Sequence, residues 1–501
     1  MDSLSLLMQG FATALTWNNL IFCLIGVGVG MFIGVLPGLG PVAGTAILIP
    51  LTFGLEPTPA IIMLAGIFYA AMYGGTITSV LINTPGESAS VITCIDGYQM
   101  ARQGRAGAAL GVAAIGSFIG GIVAILSLTF IGPTLARFAI KFGPPEFLSV
   151  MMFGLLLIVG LMGKSIVKGL IAVVLGLLLA MIGQDPGSGA SRFIFGQIML
   201  LDGIDFVVLA MGLFGVSEIL LNAEKNMETE TPPKVKGLIP PREEWAPAAK
   251  AIGRGTALGM LLGLIPGASA SIASLLSYSF EKRVAKDPSR FGKGAIEGVA
   301  GPETANNAYA GAALIPLFTL GIPSSPTVAI LLGAFTMHGL IPGPLLYERN
   351  PDFLWAVIAS MFIGNVMLLI MNLPLANLWA KVARIPYKLL APLILLICML
   401  GVFSVNRSVW DVGLLVFFGI VGYFLKKLEI PAAALLLSFV LGNNIEFTMI
   451  QTLSLSASGL LYLFQRPISG VLMTLCILIL ALSIYSSIKK KRGQLADDAE
   501  V

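Results

Sequence analysis

Gly34-Val35-Leu36-Pro37-Gly38-Leu39-Gly40 and Gly263-Leu264-Ile265-Pro266-Gly267-Ala268-Ser269 carry the same motif twice, each inside a strongly apolar stretch. A second pair follows in the same order: Asn83-Thr84-Pro85-Gly86-Glu87-Ser88, then Gly321-Ile322-Pro323-Ser324-Ser325-Pro326. Proline and glycine break helices. In hydrocarbon a broken helix strands backbone N–H and C=O groups, so a break is tolerated only inside protein or beside a water-filled cavity. Matched breaks in two halves of one chain point to the binding site of a transporter.

The surrounding composition agrees. The chain has 501 residues, 56% hydrophobic and 11% charged, with a mean hydropathy of +0.92. Soluble domains are about 25% charged, so the deficit implies an all-α polytopic membrane protein. The length holds roughly ten to fourteen membrane segments. Its 58 glycines suit close helix packing in lipid. A net charge of +4 with no large basic block argues against nucleic acid as a partner. Cys23, Cys94, Cys398 and Cys476 are scattered in apolar surroundings and read as packing residues. Met1 to Asn19 lacks a basic start and a small-residue cleavage site, so the first span is expected to stay in place. Lys489-Lys490-Lys491-Arg492 after an apolar run predicts a cytoplasmic C-terminus.

Apolar runs suited to spanning include Leu20–Leu36, Thr58–Ile82, Ala106–Ile131 and Gly203–Leu221 in the first half. Thr304–Leu320, Thr327–Ile341, Phe353–Leu373 and Val409–Leu425 are examples in the second. Between the halves lies one polar, proline-rich stretch. The expected organisation is a first membrane repeat over 1–221 and an inter-repeat loop over 222–250. A second repeat over 251–488 and a cytoplasmic tail over 489–501 complete it. The halves correspond at offsets of roughly 230 to 245 positions, a period fit for an internal duplication. An odd number of crossings per half would make the copies inverted, with discontinuous helices or re-entrant hairpins meeting near the bilayer midplane. Inversion is the expectation. Trp17, Trp245, Trp355, Trp379 and Trp410 lie near run ends, as anchors at the lipid–water boundary would.

A helix that starts after a break presents free N–H groups and partial positive charge, which favours an anion. A helix that ends at a break presents carbonyl oxygens, which suit Na⁺ or a proton-bearing group. Several such ends around one cavity could hold a carboxylate without burying an unpaired arginine. The side chains near the breaks are small and hydroxylic, and offer hydrogen bonds or neutral oxygens. The binding candidates are Pro37, Gly38, Gly40, Asn83, Thr84, Pro85, Gly86 and Ser88, with Gly267, Ser269, Asn306, Asn307, Pro323, Ser324 and Ser325. Taken singly, such serines and threonines also serve helix packing. Glu87 and Glu303 are acids beside the breaks. They carry a proton or complete a cation site, or else simply lie at a membrane surface. Asp96 is a weaker candidate, and His338 reads as a polar helix cap or a proton relay. No metal-spaced ligands, HExxH, GxSxG or nucleotide motif is present, so no cofactor, resident metal or enzymatic activity is expected.

Three stretches carry a family resemblance: Gly34–Gly44, Tyr73–Thr76 on to Asp96–Gly104, and Gly301-Pro302-Glu303-Thr304-Ala305-Asn306-Asn307. With them the chain resembles the large membrane subunit of the tripartite tricarboxylate transporters, over nearly its whole length. The resemblance implies a secondary transporter of the bacterial inner membrane. Its partners would be a small membrane subunit and a periplasmic solute-binding protein, its substrate a tricarboxylate or related organic acid, and its coupling ion Na⁺ or H⁺. Pro37-Gly38, Asn83–Ser88, Glu303–Asn307 and Pro323–Ser325 are the matching positions that would bind. The competing readings are a passive carboxylate channel and a membrane-embedded enzyme.

Overall fold

Glycines at every fourth position fall on one face of a helix. Gly26, Gly30 and Gly34 make such a stripe, and Gly255, Gly259 and Gly263 make another. In the computed structural model both stripes are used in the same way. The structure describes residues 3–481 except 37, 163–164, 186, 225–234, 236, 383–384 and 386. Pro37 and Lys489–Arg492 therefore lie outside the described residues.

The principal helices of the first half are α1 (Ser3–Ala14), α2 (Trp17–Val35), α3 (Gly40–Leu48), α4 (Pro57–Ile82), α5 (Val91–Arg102), α6 (Ala106–Ala139), α7 (Pro144–Met162) and α8 (Ile166–Ala180). A two-residue hairpin, β1 (Gly183–Gln184) against β2 (Ser191–Arg192), is antiparallel with Gly183 opposite Arg192. After it comes α9 (Phe206–Ala223), with a π-helical middle over Met211–Val216. The second half has α10 (Arg242–Gly263), α11 (Ala270–Val284), α12 (Glu297–Ala312), α13 (Leu314–Leu320), α14 (Pro326–Met337), α15 (Pro351–Val382), α16 (Tyr387–Asn406), α17 (Val409–Lys427), α18 (Ala432–Leu455) and α19 (Pro467–Ala481).

The α2 stripe lies on α4, where a Cβ at Gly26, Gly30 or Gly34 would overlap the carbonyls of Met63, Ile67 or Ala71. The α10 stripe lies on α12, where Gly255 and Gly259 meet the carbonyls of Gly301 and Ala305, and Gly263 meets Ala312 and Tyr309. Backbone-on-backbone packing of this kind is how small residues join helices in lipid. The α4 helix is buried along nearly its whole length and α12 along all of it. These two helices form the centre of the molecule.

Among the described residues, eight helices are long and apolar enough to cross a membrane, or up to nine if the bent pair Gly459–Gln465 and Pro467–Ala481 counts as one. The multi-pass, all-helical class expected from composition is observed. The count is below the ten to fourteen segments expected for a physical reason. Gly40–Thr52 and Pro326–Met337 are apolar but too short. The α12 helix carries Glu297, Glu303, Asn306 and Asn307, all buried in protein, so hydropathy passes over it.

Two further expectations change. Trp355 is among the largest fully buried side chains, and Trp379 is also buried, its Nε1 donating to Met371 O at 3.1 Å. Neither anchors at a lipid boundary, whereas Trp17 is 81% exposed. The α10 helix also begins at Arg242, inside the stretch read as a loop. Pro241 precedes it and Glu243 and Glu244 sit in its first turn, where negative charge favours a helix start.

Candidate functional site

The two breaks of each half have matching backbones. Gly38 and Gly267 both have left-handed conformations, with φ of 88° and 85°. Asn83 and Gly321 end α4 and α13 with φ of 53° and 71°, positions that favour glycine and tolerate asparagine. The next amides, Thr84 N and Ile322 N, each reach back 3.3 Å to the carbonyls of Thr78 and Pro316. Within the second half, Gly267 N donates to Ser324 O at 3.0 Å, which ties its two breaks together. Across the halves, Ser271 Oγ donates to Ser88 Oγ at 2.9 Å.

Four helices start at these breaks, and the first residues of all four line one cavity of about 450 Å³. Gly40, Pro41 and Val42 open α3; Val91 opens α5, with Ser88 in the turn before it; Ser269 and Ala270 open α11; Ser325 and Pro326 open α14. Ser269 and Ser325 cap their helices, accepting from Ile272 N at 3.2 Å and Val328 N at 3.3 Å. A charge at a helix start gains roughly 0.3 to 2 kcal/mol. Four such ends give an anion a few kcal/mol, near the ~4 kcal/mol of millimolar binding. The cavity volume is ordinary for a small-molecule site.

The helices leave the cavity in two parallel pairs. Beyond Ser88 and Ser271, Tyr278 OH donates to Asp96 Oδ2 at 2.9 Å, so α5 and α11 run side by side. Asp96 also accepts from the N–H groups of Gly292, Gly294 and Ala295 at 2.7–2.9 Å. It pins the 285–296 connection and plays a structural part. The other pair, α3 and α14, ends where His338 Nε2 meets Thr52 Oγ1 at 3.2 Å. His338 is thus a hydrogen-bonded helix cap. The 32-residue α15, about 48 Å long at 1.5 Å per residue, starts beyond His338. Near its other end Asn377 Oδ1 accepts from Val235 N at 3.1 Å, just before α10, whose Glu244 pairs with Arg105 after α5. The two pairs therefore point to opposite ends of α15.

Glu87 and Glu303 are 7% and 1% exposed, both buried within the protein. Glu87 lines the cavity; its Oε2 accepts from Ala89 N at 2.8 Å and its Oε1 from Asn306 Nδ2 at 3.1 Å. Glu303 lies behind, outside the cavity wall. It accepts from Thr76 Oγ1 of α4 at 2.6 Å and from Thr93 Oγ1 of α5. Asn306 Oδ1 is buried without a hydrogen-bond partner. A buried acid in hydrocarbon must be balanced by partners, a proton or a cation. Hydroxyl donors supply part of that balance here.

Of the expected binding residues, Gly38, Gly40, Pro85, Gly86, Ser88, Ser269 and Ser325 reach the cavity wall, along with Glu87. Gly267, Pro323 and Ser324 stand behind it, Ser324 Oγ donating to Ala313 O at 2.9 Å. Asn83 and Thr84 are not on the wall and serve as a helix terminus. Asn307 Nδ2 donates to Ser117 Oγ at 2.8 Å, away from the cavity. The wall also holds Met72, Phe214, Glu218, Tyr309 and Lys426, none of which was singled out from the sequence. Glu218, an acid inside the apolar run Gly203–Leu221, gives the same signal as Glu87. Lys426 ends its run and looks like an ordinary membrane-edge lysine.

The sequence profile of the tripartite tricarboxylate transporter TctA family matches residues 20–437. The chain belongs to the tripartite tricarboxylate transporter TctA family. A relative from Agrobacterium vitis, described as an uncharacterized 52.8 kDa protein in the TAR-I ttuC′ 3′ region, is 45% identical over 495 residues, 99% of each chain. A second, an uncharacterized protein in the TAR-II ttuC′ 3′ region of the same organism, is 44% identical over 236 residues. That match covers 98% of the relative and 47% of this chain. No solved structure matches the chain. The TctA family is one of transporters, and the apolar helices make this member a multi-pass membrane protein.

Proposed function

We propose that this TctA-family chain is the large membrane subunit of a binding-protein-dependent importer of a tricarboxylate or related organic acid. The observation that carries the reading is the meeting of four helix N-termini on one cavity. Its partners are a small membrane subunit and a periplasmic solute-binding protein, in the bacterial inner membrane. The binding surface is Gly38, Gly40, Pro85, Gly86, Ser88, Ser269 and Ser325.

The two halves act as inverted repeats, residues 1–221 and 251–488 of the chain. Three features support this: the repeated order of glycine-striped helix, break, long helix and break; the left-handed φ at matching break positions; and the opposite directions of the α3/α14 and α5/α11 pairs. The end reached by α5 and α11 carries Arg102, Arg105, Arg242, Lys282, Arg283, Lys286, Arg290 and Lys293. The opposite end has fewer, with Arg349 in the 338–350 connection and Arg137 and Lys141 at the end of α6, where Gly132 lies against Tyr347. Positive charge is retained inside, so the basic end faces the cytoplasm, as does the tail over 489–501.

Transport proceeds by alternating access, with Na⁺ or H⁺ bound at the Glu87–Asn306–Glu303 cluster. Na⁺ suits the neutral oxygens of Thr76, Thr93 and Asn306, and H⁺ suits the two acids. Purified protein with its small subunit and solute-binding protein in liposomes should accumulate carboxylate only under an imposed Na⁺ or H⁺ gradient. Equal uptake without a gradient would contradict coupling. Single-channel currents would favour the passive channel instead.

A further inference from the structure

The cavity wall carries three charged side chains among the described residues: Glu87, Glu218 and Lys426. Both oxygens of Glu87 are taken by the protein itself. Glu218 of α9 and Lys426 of α17 instead form an ion pair with one another. The second Glu218 oxygen accepts from Asn222 Nδ2 at 3.4 Å, and the same nitrogen reaches Gly38 O at 3.4 Å. Asn222 Oδ1 is buried without a partner. The one ammonium of the wall is therefore held by an acid that is tied back to the first break.

We infer that Lys426 is the specificity-determining cation of the site, and that Glu218 occupies it in place of a substrate carboxylate. This rests on the carboxylate-import reading above. One substrate carboxylate sits on the four helix ends, whose combined effect suffices for only one weakly held anion. A second carboxylate on the same molecule takes the Lys426 ammonium, and Glu218 turns to the Asn222 amide. The exchange keeps the lysine paired throughout, while Glu218 retains the Asn222 amide as its donor. A monocarboxylate has nothing to offer Lys426 and leaves the internal pair closed. The site thereby selects acids with two or more carboxylates. Because Asn222 bridges Glu218 to Gly38, occupancy of Lys426 is also communicated to the break that opens α3.

The test is uptake of citrate, succinate and butyrate by the complete system in liposomes. Wild type should prefer the polycarboxylates, and Lys426→Gln should reduce that preference tenfold or more, chiefly through KM. The double swap Glu218→Lys with Lys426→Glu restores an ion pair but moves the ammonium. It should fold and insert yet fail to recover the preference. Retention of the wild-type preference by Lys426→Gln, or its recovery in the swap, would show a merely structural pair and overturn the inference while import stands. If Lys426→Gln does not reach the membrane, the swap alone decides. If wild type takes up none of the three acids under any gradient, the import reading falls and takes this inference with it.

Discussion

Gly259→Leu should yield no folded protein, and Gly30→Leu the same. Each glycine faces a backbone carbonyl of the neighbouring central helix, Ala305 for Gly259 and Ile67 for Gly30. Overpacking a core costs roughly 1 to 3 kcal/mol when side chains can move aside. Here the obstacle is main chain, which cannot move without parting α10 from α12 or α2 from α4. Parting two central helices costs more than that, against a whole-domain stability of only roughly 5 to 15 kcal/mol. Gly253, in the same α10 helix, has nothing within 4 Å of an added Cβ. Gly253→Ala should leave folding intact, and alanine is about 1 kcal/mol better in a helix. Size-exclusion profiles of detergent-solubilised variants decide it. A monodisperse Gly259→Leu peak with the wild-type thermal midpoint would refute the backbone-contact account.

Glu303→Gln should separate binding from coupling. The side chain keeps its shape and its place between Thr76 and Thr93 but loses the carboxylate. A hydrogen bond to a charged group is worth roughly 1.5 to 3 kcal/mol. Gradient-driven accumulation should therefore fall about tenfold to a hundredfold. Exchange of labelled for unlabelled carboxylate across the membrane needs no net ion movement and should persist. Accumulation at the wild-type level would place the coupling ion elsewhere. Loss of both accumulation and exchange would make Glu303 part of substrate binding or of the fold.

The breaks were legible because proline and glycine in an apolar run have few explanations, and the matched pairs at 34–40 and 263–269 reinforced one another. Glu87 and Glu303 were legible because a buried acid is costly. The glycine stripes were written in the spacing of 26, 30, 34 and 255, 259, 263, although composition alone directed attention to their number. Other features were hidden for physical reasons. Lipid and protein interior are equally apolar, so run ends could not tell buried Trp355 from exposed Trp17. The fully buried α12 is polar, so hydropathy could not place all of it. Lys426 reaches the cavity only because α17 packs beside α9, a contact no local pattern encodes.

In the proposed mechanism one cavity, ringed by the starts of α3, α5, α11 and α14, holds the carboxylate. A cryo-electron microscopy map of the protein in lipid with citrate tests it most directly. Ligand density is expected within hydrogen-bonding distance of Ser88, Ser269 and Ser325. Density seated elsewhere, or helices running unbroken through 83–88 and 321–326, would contradict it.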